Sequence, residues 1–239
     1  MFWSKILRFF SEDIAMDLGT ANTLLYTRDG GIIVNEPSVV AIDTRNNEVL
    51  AVGSEAKRAR GRTPKRIKTI RPMKSGVIAD FDTTSRMIVY FVNKAIGRSH
   101  LVKPSLVISV PTGITGVEKK AVIDAAATAG AGRVSLIEEP MAAAIGADLP
   151  VTEPVGTLIA DIGGGTSEVA VITMSAITVS QSIRIAGDAM NEILLRMLRD
   201  KYRLDVGENT AEHLKILLGS TQPVPDLPDY AEISGRDLV

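Results

Sequence analysis

The sequence predicts an α/β fold built on a repeated unit. Three observations predict it. Residues 14–26 read Ile-Ala-Met-Asp-Leu-Gly-Thr-Ala-Asn-Thr-Leu-Leu-Tyr, and residues 158–172 repeat the pattern as Leu-Ile-Ala-Asp-Ile-Gly-Gly-Gly-Thr-Ser-Glu-Val-Ala-Val-Ile. Each is an apolar run, Asp-apolar-Gly, a small-residue turn and a second apolar run, the pattern of a tight hairpin. Between and after the two copies, strand-like runs alternate with helix-like ones, which implies a mainly parallel sheet covered on both faces.

In each hairpin the glycines suit a turn that needs positive φ or close approach. A turn stripped of side chains presents N–H groups in a concave anion site suited to phosphate. An aspartate ending the first strand, Asp17 in one copy and Asp161 in the other, is placed to hold Mg²⁺ through water, because this ion keeps most of its hydration shell. A lone Asp-x-Gly turn followed by Thr has an ordinary local explanation, since Gly and Asp favour turns by themselves. Two copies point to a duplicated fold closing on a nucleotide from both sides.

The elements follow in order. Strand-like runs continue at 31–34, 38–42 and 49–52. Leu106 to Val110 reads as a buried strand ended by Pro111, and Thr115 with Glu118 has capping-box spacing before an Ala-rich helix ending at Gly130. Val134 to Ile137 is the next strand, and Glu138-Glu139-Pro140 opens a helix from Met141 to Ala147. Acidic residues complement a helix N-terminus, which is a sufficient reason for at least one of these two glutamates. The functional alternative is that one carboxylate points into the cleft and orients a water at a terminal phosphate. Beyond the second hairpin, Ile177 to Ile185 reads as strand, and Gly187-Asp188 caps a helix running to about Arg203. A helix from Thr210 to Leu218 carries Glu212 and Lys215 on one face, as a surface pair or lying over a nucleoside. After Pro223, Pro225 and Pro228, a strand is expected at Tyr230 to Ile233.

Composition excludes several classes. There are 239 residues, enough for one large domain or two small ones, and 45% are hydrophobic against 23% charged, a globular balance. Lys plus Arg is 27 and Asp plus Glu 28, so no basic field argues for nucleic acid. Without cysteine there are no disulfides, thiol chemistry or Cys-ligated metal, and His100 and His213 alone do not make a His site. No apolar run reaches the ~20 residues that span a bilayer.

Two segments stand apart. Phe2, Trp3, Ile6, Leu7 and Phe10 fall on one face at helical spacing, with Lys5 and Arg8 elsewhere. The pattern suits an interfacial helix with aromatic side chains in lipid headgroups, or a terminal helix packed on protein. Residues 55–74 carry Lys57, Arg58, Arg60, Arg62, Lys65, Arg66, Lys68, Arg71 and Lys74 against Glu55. No aromatic residue among them is placed to stack on bases. The plain reading is the solvated surface of an inserted subdomain, and the alternative is contact with an acidic face of another subunit.

With the two hairpins, the run 136–146 (Leu-Ile-Glu-Glu-Pro-Met-Ala-Ala-Ala-Ile-Gly) makes the chain resemble the actin-like ATPases. Within them it is most similar to the MreB family of bacterial rod-shape-determining filament proteins. Asn35-Glu-Pro-Ser-Val-Val, Ile70-Arg-Pro-Met-Lys, Gly76-Val-Ile-Ala-Asp, Ser182-Ile-Arg-Ile-Ala-Gly-Asp and Thr210-Ala-Glu-His-Leu-Lys add to the match, in family order. It runs from about residue 14 to the end of the chain. Hexokinase-like and chaperone relatives share the hairpins but not these intervening runs.

The resemblance implies an actin-like ATPase fold of duplicated ribonuclease-H-like domains with small inserted subdomains, the second half incomplete. Residues 1–13 would be an amphipathic segment, 14–40 and 74–153 the first large subdomain, and 41–73 the first small one. Residues 154–189 would belong to the second large subdomain and 190–239 to the second small one. It implies ATP and Mg²⁺ as cofactors, with Thr20, Ala21 and Asn22 forming one phosphate loop and Gly163, Gly164, Gly165 and Thr166 the other. Asp17 and Asp161 would face Mg²⁺ and its waters. Glu139, helped by Thr166, would orient the attacking water. Gly187, Asp188, Glu212 and Lys215 would contact the adenosine side. The implied partners are further copies in a filament, the inner face of the cytoplasmic membrane through residues 2–10, and membrane proteins of cell-wall synthesis and shape, with no nucleic acid. Family members continue past the position of Val239, so the expectation is a fragment or truncated product whose sheet with the second hairpin is short of strands and has exposed apolar edges. A non-enzymatic assembly module and a small-molecule kinase on the same fold are the alternatives.

Overall fold

The structure, a computed structural model, describes residues 13–59, 66–96, 103–225, 227–228 and 230–239. Its contacts divide the chain into two compact units, one extending to Arg184 and the other spanning Ile185–Val239. The amphipathic segment 2–10 and Arg60, Arg62 and Lys65 of the basic stretch lie outside the described residues. Of the other basic residues there, Lys57, Arg58, Arg66, Lys68 and Lys74 are exposed, as a solvated surface requires.

The first unit begins with β1 (Asp13–Leu18), β2 (Asn22–Thr27) and β3 (Gly31–Pro37). A small sheet follows, made of β4 (Val40–Asp43), β5 (Glu48–Val52) and β6 (Ile67–Ile70), with the short helix α1 (Ser54–Ala59) burying Ala56 against Val39 and Ala41. The pair β7 (Met73–Lys74) and β8 (Val77–Ile78) leads into α2 (Phe81–Ile96). Then come β9 (Ser105–Val110), α3 (Gly116–Thr128), β10 (Arg133–Glu138) and α4 (Glu139–Gly146). The unit closes with the antiparallel meander β11 (Thr157–Ile162), β12 (Ser167–Thr173) and β13 (Ala176–Ile183).

The main sheet has the order β10-β9-β1-β2-β3. β10 and β9 run parallel to β1, while β2 and β3 are antiparallel to their neighbours, so the sheet is mixed rather than mainly parallel. The cause is connection length: short turns join β1 to β2 and β2 to β3, whereas a parallel neighbour needs a helical crossover. One face is covered. Ile14, Met16, Leu18, Leu25, Leu106 and Ile108 share a core with Met87, Ile88 and Phe91 of α2 and Val122, Ala125 and Ala126 of α3. Each of the larger side chains contributes about 1.5–3 kcal/mol by leaving water. On the opposite face the cross-strand neighbours Ala15, Tyr26 and Val107 are exposed while Ser109 is buried, and α4 contacts β9 and β10, so that face is covered only in part.

Local chemistry sets the helix ends. Thr115 and Glu118 form the full capping box of α3, and Gly130 follows the helix at φ 95°. The Glu118 carboxylate also receives Arg184 at 3.3 Å. α2 has no counterpart in the reading along the chain. Its start is marked by Asp80, whose carboxylate accepts from the Thr83 N–H at 3.0 Å.

In the meander, directly paired residues share a face. Thr157, Glu168, Ala170 and Ile172 are buried on one side, where α4 packs. Leu158, Ile162, Val169, Val179 and Ile183 share the other and are exposed, Leu158 at 67%. The expectation for this sheet is exposed apolar edges; what the structure exposes is one apolar face.

The second unit comprises α5 (Gly187–Tyr202), β14 (Leu204–Asp205), α6 (Glu208–Leu218) and β15 (Arg236–Asp237). The cap of α5 is Ala186 without a side-chain bond, one residue before the predicted Gly187-Asp188. No strand forms at Tyr230 to Ile233. Tyr230, Ala231 and Ile233 instead line an apolar groove with Met190, Met197 and Leu214, and the pairing with β14 falls to Arg236–Asp237. Arg236 and Arg199 both reach Asp205, at 3.0 and 2.8 Å, and fix that register.

Candidate functional site

The first turn, between β1 and β2, is tied down by Ser38. Its hydroxyl donates to the Gly19 carbonyl at 2.6 Å and its N–H to the Ala21 carbonyl at 3.0 Å, while Thr23 bonds the same hydroxyl at 2.9 Å. Drawing these carbonyls inward suits an anion site, since carbonyl oxygens repel phosphate. Thr20 is buried, and its hydroxyl accepts from the Gly76 N–H at 2.9 Å.

The second turn is tighter. The Gly163 N–H donates to the Thr166 carbonyl at 2.9 Å across Gly164 and Gly165. None of Gly19, Gly163, Gly164 and Gly165 has positive φ, so close approach is what demands glycine at Gly19, Gly164 and Gly165, whereas Gly163 has room for a Cβ. A Cβ on Gly164 would stand 2.7 Å from the Ala21 Cβ; one on Gly165 would stand 2.5 Å from the Thr20 hydroxyl and 2.8 Å from the Ser75 Cα. Gly76 at φ 76° fits between Thr166 and Pro111, where a Cβ would meet them at 2.7 and 2.9 Å. The two turns read from the sequence thus touch, with the Ser75-Gly76 turn wedged against both.

Four carboxylates gather by these turns. Asp17 and Asp161 end β1 and β11 as predicted, Glu139 opens α4, and Glu168 stands opposite Asp161 on β12. The Asp17 carboxylate is reached by solvent but enclosed by protein. Burial raises its pKa, a hydrogen bond from the Ser109 hydroxyl at 2.8 Å works against that, and the Asp161 charge adds to the rise. Glu139 is pushed up to about 8, first by burial and then by the charges of Asp17, Glu168 and Asp161. Glu138, the N-cap, is exposed and makes no side-chain cap bond, so of the two glutamates it is Glu139 that is enclosed beside Asp17, Asp161 and Glu168.

Among the described residues no three His, Asp, Glu or Cys groups converge to cage a metal ion. Hard carboxylate oxygens in small number, beside an anion site, fit Mg²⁺, which takes one or two carboxylates and keeps its waters and phosphate ligands. Asp17 and Asp161 are the residues that would hold it.

In the second unit, Lys215 donates to Glu212 at 2.6 Å and to the Gly187 carbonyl at 3.2 Å. The predicted quartet Gly187, Asp188, Glu212 and Lys215 is thereby joined at three of its members, and Asp188 lies in the first turn of α5. Buried Asn191 adds an unforeseen donor to Glu212 at 2.6 Å.

Four further residues around the turns escaped the sequence reading: Ser38, Gly76, Ser109 and Glu168. Glu168 had a usable signal, because it shares strand parity with Ala170 and Ile172, and a charged residue on a buried parity is informative. Ser38 and Gly76 act through contacts distant in sequence that no local pattern reveals.

A sequence profile of the MreB/Mbl protein family matches residues 11–239. The cell shape-determining protein MreB of Escherichia coli is 47% identical over 239 residues, an alignment covering 98% of this chain and 69% of that one. Among solved structures, MreB5 of Spiroplasma citri bound to ADP superposes with a TM-score of 0.88 at 33% identity, covering 95% of this chain and 68% of the other. The same protein bound to AMPPNP gives 0.84 at 34% identity, covering 96% and 68%. With the twin turns, the carboxylates beside them and this likeness along nearly its whole length, the chain belongs to the MreB/Mbl family of actin-like ATPases.

Proposed function

We propose that this protein binds Mg-ATP at its paired turns and hydrolyses it as an actin-like cytoskeletal protein that assembles with copies of itself and directs cell shape. The observation that carries the reading is the contact of the two side-chain-poor turns beside Asp17, Asp161 and Glu139. The nucleotides carried by the Spiroplasma citri relative support the choice of ligand.

Thr20, Ala21 and Asn22 on one side, and Gly163, Gly164, Gly165 and Thr166 on the other, offer N–H groups and hydroxyls to the phosphates. A Mg²⁺ ion held through water by Asp17 and Asp161 supplies charge neutralisation. Glu139 receives the proton of the attacking water and Thr166 helps to fix that water. Phosphoryl transfer asks mainly for this alignment and electrostatic support. Glu212 and Lys215, near Gly187 and Asp188, contact the nucleoside. We assign residues 14–40 and 74–153 to one large subdomain, 41–73 to its small insert, 154–189 to the second large one and 190–239 to its insert. Residues 2–10 attach the assembly to the inner face of the cytoplasmic membrane, where the proteins of cell-wall synthesis and shape are its partners. Among the described residues no helix is long and apolar enough to cross a membrane.

The test is Glu139→Ala. It is expected to keep nucleotide, seen as a thermal shift with Mg-ATP matching the parent's, and to slow phosphate release. A ligand at ~100 times its dissociation constant adds about 2.7 kcal/mol to the folded state. Equal release by parent and variant would remove Glu139 from the role.

A further inference from the structure

Glu168 is about 1% exposed, the most deeply buried charged side chain among the described residues. Its carboxylate is held from one place. The Thr112 N–H donates to both oxygens, at 3.0 and 3.2 Å, and the Thr112 hydroxyl donates to one of them at 3.1 Å. Thr112 lies in the loop between β9 and α3, 56 residues away in sequence. Burying a carboxylate is costly unless it is hydrogen-bonded or paired, and the donors that offset the cost here are the neutral ones of Thr112.

The bonds close a circuit around the turns. Thr20 accepts from the Gly76 N–H, and Gly76 is clasped by Pro111 and Thr166. Pro111 adjoins Thr112, Thr112 is gripped by Glu168, and Glu168 lies two residues along the chain from Thr166. A cavity of about 250 Å³ opens beside the joint, with Thr112, Thr166, Ser180, Ser182 and Arg184 in its lining beside the apolar Val77 and Ile114.

We propose that Glu168 is a positioning residue: by gripping Thr112 it locks β12 to the β9–α3 loop and holds the Gly163–Thr166 turn in place against the first turn. The grip depends on reach and acceptor geometry. Gln keeps an oxygen at the same distance able to accept from both Thr112 donors. Asp keeps the charge but withdraws the oxygens by one methylene. The catalytic consequence rests on the ATPase reading above, because a displaced Thr166 no longer fixes the attacking water, and small misplacements cost up to about 100-fold in rate.

The experiment compares the parent chain with Glu168→Gln, Glu168→Asp and Glu168→Ala in two measurements. In amide hydrogen exchange without nucleotide, Ala and Asp are expected to speed exchange across residues 163–167 by about tenfold or more, while β1 is unchanged and Gln stays within about twofold of the parent. In Mg-ATP hydrolysis, Ala and Asp are expected to lower kcat about tenfold or more with KM within about twofold, and Gln to restore kcat. A Gln variant as impaired as Ala, or uniform loosening of the whole chain, overturns the proposal. If the parent itself neither binds nor hydrolyses ATP, the ATPase reading fails, and the exchange measurement still decides for or against the brace.

Discussion

In the β1–β2 hairpin the buried face is uncharged and mainly apolar, with Ile14, Met16, Leu18 and Leu25 beside the hydroxyls of Thr23 and Thr27, and its turn is tied from below by Ser38. The β11–β12 hairpin inverts that arrangement. Its buried face carries Glu168 beside Ala170 and Ile172, while Leu158, Ile162 and Val169 face solvent. The turns nevertheless meet as a pair. The geometry of the paired turns belongs to each turn and its immediate ties, and the sheet behind each turn is stabilised by different means.

The largest effect is expected where the two hairpins act together. Glu139→Ala should lower phosphate release about 1,000-fold, within the usual range for a lost general base, in a single-turnover assay. A loss below about tenfold would mean that the turns bind without aligning a nucleophile. Next, Leu25→Ala should cost about 3 kcal/mol by urea unfolding as a cavity in the first core. Leu158→Ala on the open face should cost less than about 0.5 kcal/mol. Similar losses at both would show that the second sheet is covered in solution.

The glycines sharpen the contrast further. Gly165→Ala forces a Cβ against Thr20 and Ser75, whereas at Gly163 the nearest atom is the Thr166 carbonyl oxygen at 3.5 Å. The first should cost about 2 kcal/mol and the second well under 1. Then comes pH. Glu139 has a folded pKa of about 8 against an ordinary value of 4.5, so between these pH values the folded state holds more protons than the unfolded. Nucleotide-free stability should therefore fall as pH rises, by about 1–2 kcal/mol from pH 6 to 8. Glu139→Gln should flatten that slope in urea melts, and an unchanged slope would assign it to other groups. Thr115→Ala should cost about 1 kcal/mol through loss of the α3 capping box, which takes no part in the turns, read by the same urea melts.

Sequence made the turns legible because their chemistry is local: Asp17, Gly19, Asp161 and the glycine run are informative within a few residues. The capping box of α3 and Pro140 at the start of α4 were legible for the same reason. α2 was equally open to reading, with Asp80 as its cap and Met87, Ile88, Phe91 and Val92 at core spacing, yet alternation of strand and helix elsewhere did not require it. The mixed sheet depends on connection lengths rather than on residue pattern. Ser38, Gly76 and Glu168 join the site only through tertiary contacts, and Tyr230 to Ile233 looks like a strand because apolar β-formers also suit a groove between helices.

The open face of the β11–β13 meander has a consequence for calorimetry. Leu158, Ile162, Val169, Val179 and Ile183 already meet water in the folded chain, so melting adds little of their area to hydration. The heat-capacity increment and the urea m-value both scale with newly exposed surface. For this protein both should fall below the values usual for 239 residues, and whatever covers that face should raise them together.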